Sequence, residues 1–423
     1  MLDRRPNSVW PALVPLAAHN DLDSQIVAAS GTTLTFADGS EALCGTSGLW
    51  NVNLGYGNQR IADAVHEAMV RASYVSLFRY WSEDIEQAAV RLREVAGADR
   101  YARVLFTTAG GSANDAVMKL ARHFAILDGQ PSRKTVVGLK GSYHGLTYGA
   151  HALSGDDLGQ SLYGVDSRQV RHVTPNDLDE LERLVAATGD RIAAVIVEPI
   201  LGSGAFALTD EYLQRLCELR NRHGFLIVAD EVATGFGRTG PMFASESWPS
   251  APDILIASKG LTNGTQAAAA ILVGSRITDR FTGNESVFVH AETQAGTPVV
   301  GAAISATIDE FDRLSAIKRS QQLAATLETE LTALAAQHPS VLVTRGTGNF
   351  RAVAVADRDG QPQRDPASLA ALRRSIRRAG AVVHPGPDGF QLVPALTYTD
   401  EDVRSLFDAV RVGLQEYDDA NLR

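Results

Sequence analysis

Short, uninterrupted apolar runs alternate along the chain with longer segments in which apolar residues recur at helical spacing. The apolar runs cover residues 103–107, 135–139, 193–197, 225–229, 254–257 and 269–273. Helical spacing marks residues 61–72, 85–95, 113–127 and 210–223. Continuous apolar strands that alternate with helices are typical of a mostly parallel sheet with helices on both faces. The pattern therefore predicts a large α/β domain.

The two ends of the chain follow a different pattern. Residues 32–36 predict a strand that runs into a turn at Asp38 and Gly39. The C-terminal part predicts a long helix over 302–336, which a break could divide, then short strands, a polar loop over 357–365 and helices over 366–379 and 400–417. We therefore expect a large domain over 56–305 and a smaller α+β domain, built from 306–423 with the N-terminal segment 1–55.

Composition narrows the class of protein. The chain has 423 residues with 45% hydrophobic and 21% charged residues, which is ordinary for a globular protein. A net charge of -10 argues against nucleic acid or an anionic membrane as a partner. Cys44 and Cys217 form no CxxC pair, so we expect neither a structural zinc site nor a disulfide framework. Without a membrane-length apolar run or an apolar core in residues 1–18, we expect a cytoplasmic protein.

Two residues with complementary chemistry follow apolar runs. Lys259 comes after the run 254–257, and Asp230 comes directly after 225–229. Taken singly, a strand-end aspartate is more often a helix cap, and most lysines are surface residues. Together they supply what pyridoxal phosphate chemistry needs from a protein, an amine for the aldehyde and a carboxylate for the ring nitrogen. Burial would lower the pKa of the lysine and free its amine.

Two further segments fit the same cofactor. Gly110 and Gly111 join a strand to a helix, where backbone N–H groups and the helix N-terminus attract an anion such as a phosphate. Ser112 in that turn could equally be a plain N-cap. Tyr143 follows another apolar run and could stack on a ring, although a tyrosine at the edge of the core is the simpler interpretation. A GxGxxA-like segment at 202–207 lacks the context of a dinucleotide site.

Several of these motifs together resemble class-III pyridoxal-phosphate-dependent aminotransferases. The motifs are Asp-Glu-Val-x-x-Gly-Phe-Gly-Arg-Thr-Gly from Asp230, Ser-Lys-Gly-Leu around Lys259, Tyr-His-Gly from Tyr143 and Glu-Pro-Ile from Glu198, and they occur in the family's order. The resemblance, over residues 30–415, implies the fold of type I, with a mostly parallel seven-stranded sheet and a smaller α+β domain.

The resemblance also implies roles for individual residues. Lys259 would form the Schiff base with pyridoxal 5′-phosphate and move the proton, while Asp230 would pair with the ring nitrogen. Tyr143 and Val232 would enclose the ring. Gly110 and Gly111 would hold the phosphate, with more of the binding on the backbone because Ala109 and Gly111 replace serines common in the family.

The segment 290–298 resembles the part of the family in which a threonine reaches the phosphate of the neighbouring subunit. Thr293 fits that position, which implies a homodimer with shared active sites. Gln294 and Thr297 depart from the usual residues of this segment.

The substrate side shows further departures. The segment 48–57 is similar to the amine-using omega-transaminase branch, in which Trp50 would line the substrate pocket. Gln391 stands where many members carry an arginine that binds an α-carboxylate, and an amide cannot replace the charged guanidinium fork. We therefore expect transfer of an amino group from an amine or amino-acid donor to a carbonyl compound without an α-carboxylate, such as a ketone, an aldehyde or a modified peptide carbonyl. Arg79 or Arg345 could supply the missing charge instead.

Other reactions remain open on the same fold. An aminomutase, an epimerase or a decarboxylase would use the same lysine and aspartate, and a noncatalytic protein that binds the cofactor is a more distant alternative. The presence of both Lys259 and Asp230 argues against the noncatalytic alternative.

Overall fold

A seven-stranded sheet forms the centre of the computed structural model, which describes residues 8–16 and 24–421. Its strands, in spatial order, are Arg103–Thr107, Ala269–Val273, Ile254–Ala257, Leu226–Asp230, Ile192–Val197, Thr135–Leu139 and Val170–Val173. All run parallel except Ala269–Val273, which is antiparallel to both neighbours. The predicted mostly parallel sheet is confirmed. The edge strand Val170–Val173 escaped prediction because two of its four residues, Arg171 and His172, are polar.

Helices cover both faces of this sheet. They are Gln59–Ala72, Glu83–Ala96, Gly110–Leu127, Tyr148–Leu153, Leu178–Thr188, Asp210–His223, Ser275–Gly283 and Pro298–Arg313. Side chains of Asn58, Ser82, Asp177 and Thr209 accept hydrogen bonds from first-turn N–H groups and so fix where four of the helices begin. All six residues of the strand Ile192–Val197 are buried, as expected for a strand covered on both faces.

The long helix predicted over 302–336 is two helices in the structure. Pro298–Arg313 ends at a turn and Ala316–Gln337 begins after it. Ser315 between them has a φ of 49°, a left-handed conformation that no helix of L-residues continues through. The chain therefore changes direction between the large sheet and the C-terminal part.

The C-terminal part is built on a second, antiparallel sheet. Its strands are Val341–Thr347, Phe350–Val355, Gly389–Leu392 and His384–Gly386. The helices Pro366–Arg378 and Asp400–Asn421 complete this part, close to their predicted bounds.

The N-terminal strands Ile26–Ser30, Thr33–Phe36 and Glu41–Cys44 form a separate small sheet, which Ala381–Val382 extends in parallel. The N-terminal segment thus pairs with the C-terminal part, whereas the domain boundaries at 55 and 305 stay a prediction.

The remaining elements are short. Ile200–Leu201 and Phe206–Ala207 form a hairpin, and single 3₁₀ turns cover Ala244–Ser247 and Lys259–Thr262. In the described ranges, none of the helices has the length and apolar character that crossing a membrane requires. Residues 1–7 and 17–23 lie outside the described part, and with them both ends of the segment 1–18 that was searched for a signal peptide.

Candidate active site

Lys259 lies at the carboxyl edge of the large sheet, where the strand Ile254–Ala257 passes into a 3₁₀ turn. Its φ is 49°, so the backbone is held in a strained conformation at this residue. Burial lowers the pKa of the Lys259 ammonium to about 8, although the negative charges of Asp230 and Glu198 act against this shift. A lysine with this pKa is partly neutral near neutral pH, and its amine can therefore attack an aldehyde.

Asp230 ends the neighbouring strand Leu226–Asp230 and is 2% exposed. Its Oδ2 accepts hydrogen bonds from Asn114 Nδ2 at 2.8 Å and His144 Nδ1 at 2.7 Å, and its Oδ1 accepts one from Val232 N at 3.1 Å. Burial by itself lowers the pKa of His144, but the hydrogen bond and charge of Asp230 outweigh burial and raise it. The carboxylate is therefore fixed in direction by three donors.

The helix Gly110–Leu127 starts beside this carboxylate. The first N–H groups of a helix have no acceptor within it, so those of Gly110 and Gly111 are free to face an anion. A Cβ on Gly110 would come within 3.0 Å of a Val232 methyl group, and one on Gly145 within 2.5 Å of the Gly111 Cα. Glycine at these positions lets three loops meet closely around the helix start.

Tyr143 and Val232 also lie at this edge of the sheet. Tyr143 follows the strand Thr135–Leu139, is 39% exposed and donates its backbone N–H to Glu198 Oε1 at 3.3 Å. Val232 is partly buried among the apolar residues around the helix start. The proposed enclosure of a ring by these two side chains stays a prediction.

Thr293 is exposed and does not join the site of its own chain. Its carbonyl oxygen accepts a hydrogen bond from Tyr74 Oη at 3.0 Å. The neighbouring Glu292 instead accepts from Thr108 N at 2.9 Å, just before the helix start at Gly110. An exposed Thr293 remains available to a second subunit, which is the role that the resemblance implies.

Trp50 covers Lys259. The lysine Nζ lies 4.5 Å from the centre of the indole ring, and the edges of Phe350 and His384 pack against the same indole at 5.0 and 5.1 Å. Trp50 is the last of four successive residues with positive φ, which run from Ser47 at 41° to Trp50 at 67°. A left-handed turn of this kind costs about 1–2 kcal/mol for each non-glycine residue. Ser47 Oγ donates to Val393 O and so ties the turn to the C-terminal part.

Gln391 is 1% exposed, and its side-chain amide donates to Gly202 O at 2.8 Å. Of the two arginines that could supply a charge in its place, Arg345 already has partners within the protein. It forms an ion pair with Asp388, donates to Gly204 O at 3.1 Å and stacks over Phe206 at 4.3 Å. Arg79 is exposed.

Three residues of the site had no role in the sequence interpretation, namely Asn114, His144 and Glu198. Asn114 follows Gly110 by four residues and therefore lies on the same helix face, which is a signal that the sequence does contain. His144 and Glu198 were visible only as parts of motifs, because their partners lie 86 and 55 residues away along the chain.

The residues present fit pyridoxal 5′-phosphate. A helix start without side-chain obstruction suits the phosphate, and the oriented Asp230 carboxylate suits the ring nitrogen. Lys259, with its lowered pKa, suits the aldehyde. The Asn114 Oδ1 and His144 Nε2 atoms are also buried without a hydrogen-bond partner, so both are available to a polar group of a bound cofactor. Such a site at the edge of such a sheet defines a pyridoxal-phosphate-dependent transferase of fold type I.

Comparison with known proteins gives the family. The sequence pattern of the family Aminotransferase class-III matches residues 16–412, and this chain therefore belongs to the class-III aminotransferases. It is 32% identical over 416 residues to the adenosylmethionine-8-amino-7-oxononanoate aminotransferase of Nitratidesulfovibrio vulgaris, covering 91% of this chain and 76% of that protein. It is 29% identical over 411 residues to the omega-amino acid–pyruvate aminotransferase of Pseudomonas putida, covering 91% and 90%.

The fold agrees with this assignment. An amine transaminase from an uncultivated Pseudomonas species, solved with pyridoxal phosphate bound, superposes with a TM-score of 0.93 at 28% identity. The match covers 98% of this chain and 100% of that chain. The predicted fold class, the enzyme class and the cofactor pyridoxal 5′-phosphate are therefore confirmed.

Proposed function

We propose that this class-III aminotransferase moves an amino group from an amine or amino-acid donor to a ketone or aldehyde that lacks an α-carboxylate. The single observation that carries the proposal is the placement of Gln391. Its amide is buried and donates to Gly202 O, so the position offers a substrate no positive charge. The names of the relatives range from adenosylmethionine to omega-amino acids, so the family alone leaves the substrate open.

The nearby arginines support the same conclusion. Arg345 is neutralised by Asp388, and its guanidinium also donates to a backbone carbonyl. Arg238 is fully buried and donates to Pro394 O at 2.6 Å and to Asn53 Oδ1. Burial lowers the pKa of Arg238 to about 9, consistent with an arginine closed off from water. An incoming carboxylate would have to break these interactions in order to find a bidentate partner.

The chain's own residues would divide the work as follows. When bound, the cofactor supplies an aldehyde that takes up the amino group and a ring that withdraws electrons from the substrate carbon. Lys259, with its lowered pKa, would hold the aldehyde, and its amine would move the proton at the substrate carbon. Asp230 keeps the ring nitrogen protonated, held in place by Asn114 and His144. Gly110 and Gly111 would bind the phosphate through backbone N–H groups, and Tyr143 and Val232 would enclose the ring.

The overall reaction balances without an external oxidant. The donor carbon loses two electrons and its nitrogen and becomes a carbonyl carbon, with its oxygen supplied by water. The acceptor carbon gains the nitrogen and the two electrons, and its oxygen leaves as water. Stoichiometric loss of the acceptor separates this reaction from an aminomutase, an epimerase or a decarboxylase.

Three further statements belong to the proposal. Exposed Thr293 supports a homodimer in which each subunit completes the phosphate site of the other. The acceptor could be the carbonyl of a modified peptide, because such a carbonyl has no α-carboxylate and therefore needs no positive charge in the pocket. The ordinary globular composition and the two free cysteines favour the cytoplasm.

Two acceptors with the same carbon chain test the proposal. The amino form of the cofactor is loaded onto the protein, and 2-pentanone and 2-oxopentanoate are compared in single-turnover reactions. We expect the ketone to react with at least the efficiency of the keto acid. In Gln391→Arg, the efficiency ratio of keto acid to ketone should rise by about tenfold or more, because a buried charge-assisted pair is gained. A wild-type protein that strongly prefers the keto acid contradicts the proposal.

A further inference from the structure

Glu198 is a buried carboxyl group that the proposed chemistry leaves without a task. It directly follows the strand Ile192–Val197 and is 3% exposed. Its Oε2 accepts a hydrogen bond from Gly202 N at 2.8 Å, and its Oε1 accepts one from Tyr143 N at 3.3 Å. Both donors are neutral backbone groups.

The other buried acids of the described chain are each bonded to at least one side-chain donor. The pairs are Asp230 with His144, Glu231 with Thr234, Glu310 with Arg313, Asp388 with Arg345 and Asp418 with His338. A carboxylate offers about four lone-pair sites, so two backbone bonds leave Glu198 with acceptor capacity unused. Burying a carboxylate that no cation contacts by a hydrogen bond is unfavourable. Burial accordingly raises the pKa of Glu198 to about 7, although the charge of nearby His144 acts against this shift.

Glu198 borders the space in front of Lys259. A Cβ built on Gly202 would lie 3.2 Å from the Trp50 ring and 3.8 Å from Glu198 Oε1, so the carboxyl group lies near the tip of the indole. Its charge also raises the pKa of Lys259 against the effect of burial, which requires the two groups to be close. Gln391 donates to the carbonyl of the same Gly202 and brings no positive charge to this corner.

We propose that the amine donor carries a second positive charge, a distal ammonium group that pairs with Glu198. The proposal deepens the function proposed above and rests on it, since it names the donor as a diamine. One nitrogen of the diamine is transferred next to Lys259. The distal ammonium forms only a charge-assisted hydrogen bond and keeps its covalent bonds. The pairing gives a charged hydrogen-bond donor to a carboxylate that the chain bonds only through two backbone N–H groups.

Three donors that share a chain of five methylene groups after the reacting amine, and differ only at the far end, test this proposal. They are 1,5-diaminopentane, hexylamine and 6-aminohexanoate, which end in a cation, a methyl group and a carboxylate. Single-turnover reactions of the protein loaded with pyridoxal 5′-phosphate give an apparent dissociation constant and a limiting rate for each. We expect the diamine to bind about 10–100-fold more tightly than hexylamine, as for a buried charge-assisted hydrogen bond. The carboxylate should bind most weakly, and the limiting rates should differ much less.

Glu198→Gln keeps the shape of the side chain and removes its charge. We expect the preference for the diamine over hexylamine to fall to about even, while Glu198→Asp retains part of it. Glu218→Gln, an exposed acid on a distant helix, is the matched control and should keep the full preference. The cofactor absorption of each variant reports whether it has folded.

The outcomes separate the two proposals. Hexylamine binding as tightly as the diamine, or a preference that survives in Glu198→Gln, overturns the pairing with Glu198 alone. Failure of all three donors to change the spectrum of a protein that has bound its cofactor overturns both the diamine donor and the amine branch of the proposed function.

Discussion

The Lys259 nitrogen lies 4.5 Å from the centre of the Trp50 ring, so the indole covers the amine at the carboxyl edge of the large sheet. Trp50 is itself 8% exposed and wedged between Phe350 and His384. We therefore expect this rigid aromatic wall over the lysine nitrogen to limit the room for a substrate.

Trp50→Ala should widen the space in front of Lys259. We expect the efficiency for 1-phenylbutylamine relative to 1-phenylethylamine to rise by about tenfold or more, since one methylene in a tight pocket is worth roughly 10-fold or more. Steady-state kcat/KM for the two amines checks this. Trp10→Ala removes an 80% exposed tryptophan and serves as the control, which should leave the ratio unchanged. An unaltered ratio in Trp50→Ala would show that the indole does not limit the pocket.

Lys259→Ala should remove the group that moves the proton. We expect kcat to fall by about 10²–10⁴-fold or more, the usual range for a lost general acid–base. Rapid-quench measurement of the carbonyl product checks the rate, and the retained cofactor, measured after gel filtration, shows whether the site still forms. Turnover at the wild-type rate is incompatible with the proposed role of the lysine.

Uptake of the cofactor should depend on pH through Lys259. The neutral amine attacks the aldehyde, and burial lowers the pKa of this amine to about 8 in the protein without cofactor. The rate of covalent pyridoxal 5′-phosphate uptake by the cofactor-free protein should therefore rise with pH up to about 8 and then level off. Stopped-flow absorbance between pH 6 and 10 checks this. A rate still rising steeply at pH 10 would indicate a lysine with an ordinary pKa.

Asn114→Ala should loosen Asp230 without touching its charge. The lost hydrogen bond to a carboxylate is worth about 1.5–3 kcal/mol, so we expect cofactor affinity to fall by about 10–100-fold. Equilibrium dialysis measures the affinity, and Asn221→Ala on the protein surface is the control. Unchanged affinity in Asn114→Ala would leave His144 and the Val232 N–H as the only donors that orient the carboxylate.

The large sheet, and the positions of Lys259 and Asp230 at its edge, could be predicted from the apolar runs along the sequence. Each strand of the large sheet that was predicted is a continuous apolar run, and Lys259 and Asp230 follow two such runs. Parallel strands bring their carboxyl ends to one edge, so the two residues had to be near each other once the sheet was right. The C-terminal helices could likewise be predicted from the spacing of their apolar residues. The exception is the break at Ser315, where the positive φ of one residue divides the predicted helix in two.

The rest of the site depends on contacts between distant parts of the chain. Nothing next to His144 indicates that its ring meets Asp230, and nothing next to Gln391 indicates that Gly202 accepts its amide proton. The lack of a side-chain donor to Glu198 is still harder to predict, because it depends on the positions of all the donors around this carboxyl group. Pattern reasoning identifies residue types at the ends of elements, whereas hydrogen-bond partners follow only from the packed structure.

The left-handed turn at residues 47–50 has a consequence for the order in which the protein is made. It is tied to the C-terminal part by the packing of Trp50 against Phe350 and His384 and by the hydrogen bond from Ser47 to Val393, which joins residues 346 positions apart. During synthesis from the N-terminus, Trp50 exists long before this anchor does. The indole therefore cannot be fixed over Lys259 until nearly the whole chain has emerged, so both the cover of the amine and the burial that lowers its pKa depend on the last part of the chain to be made.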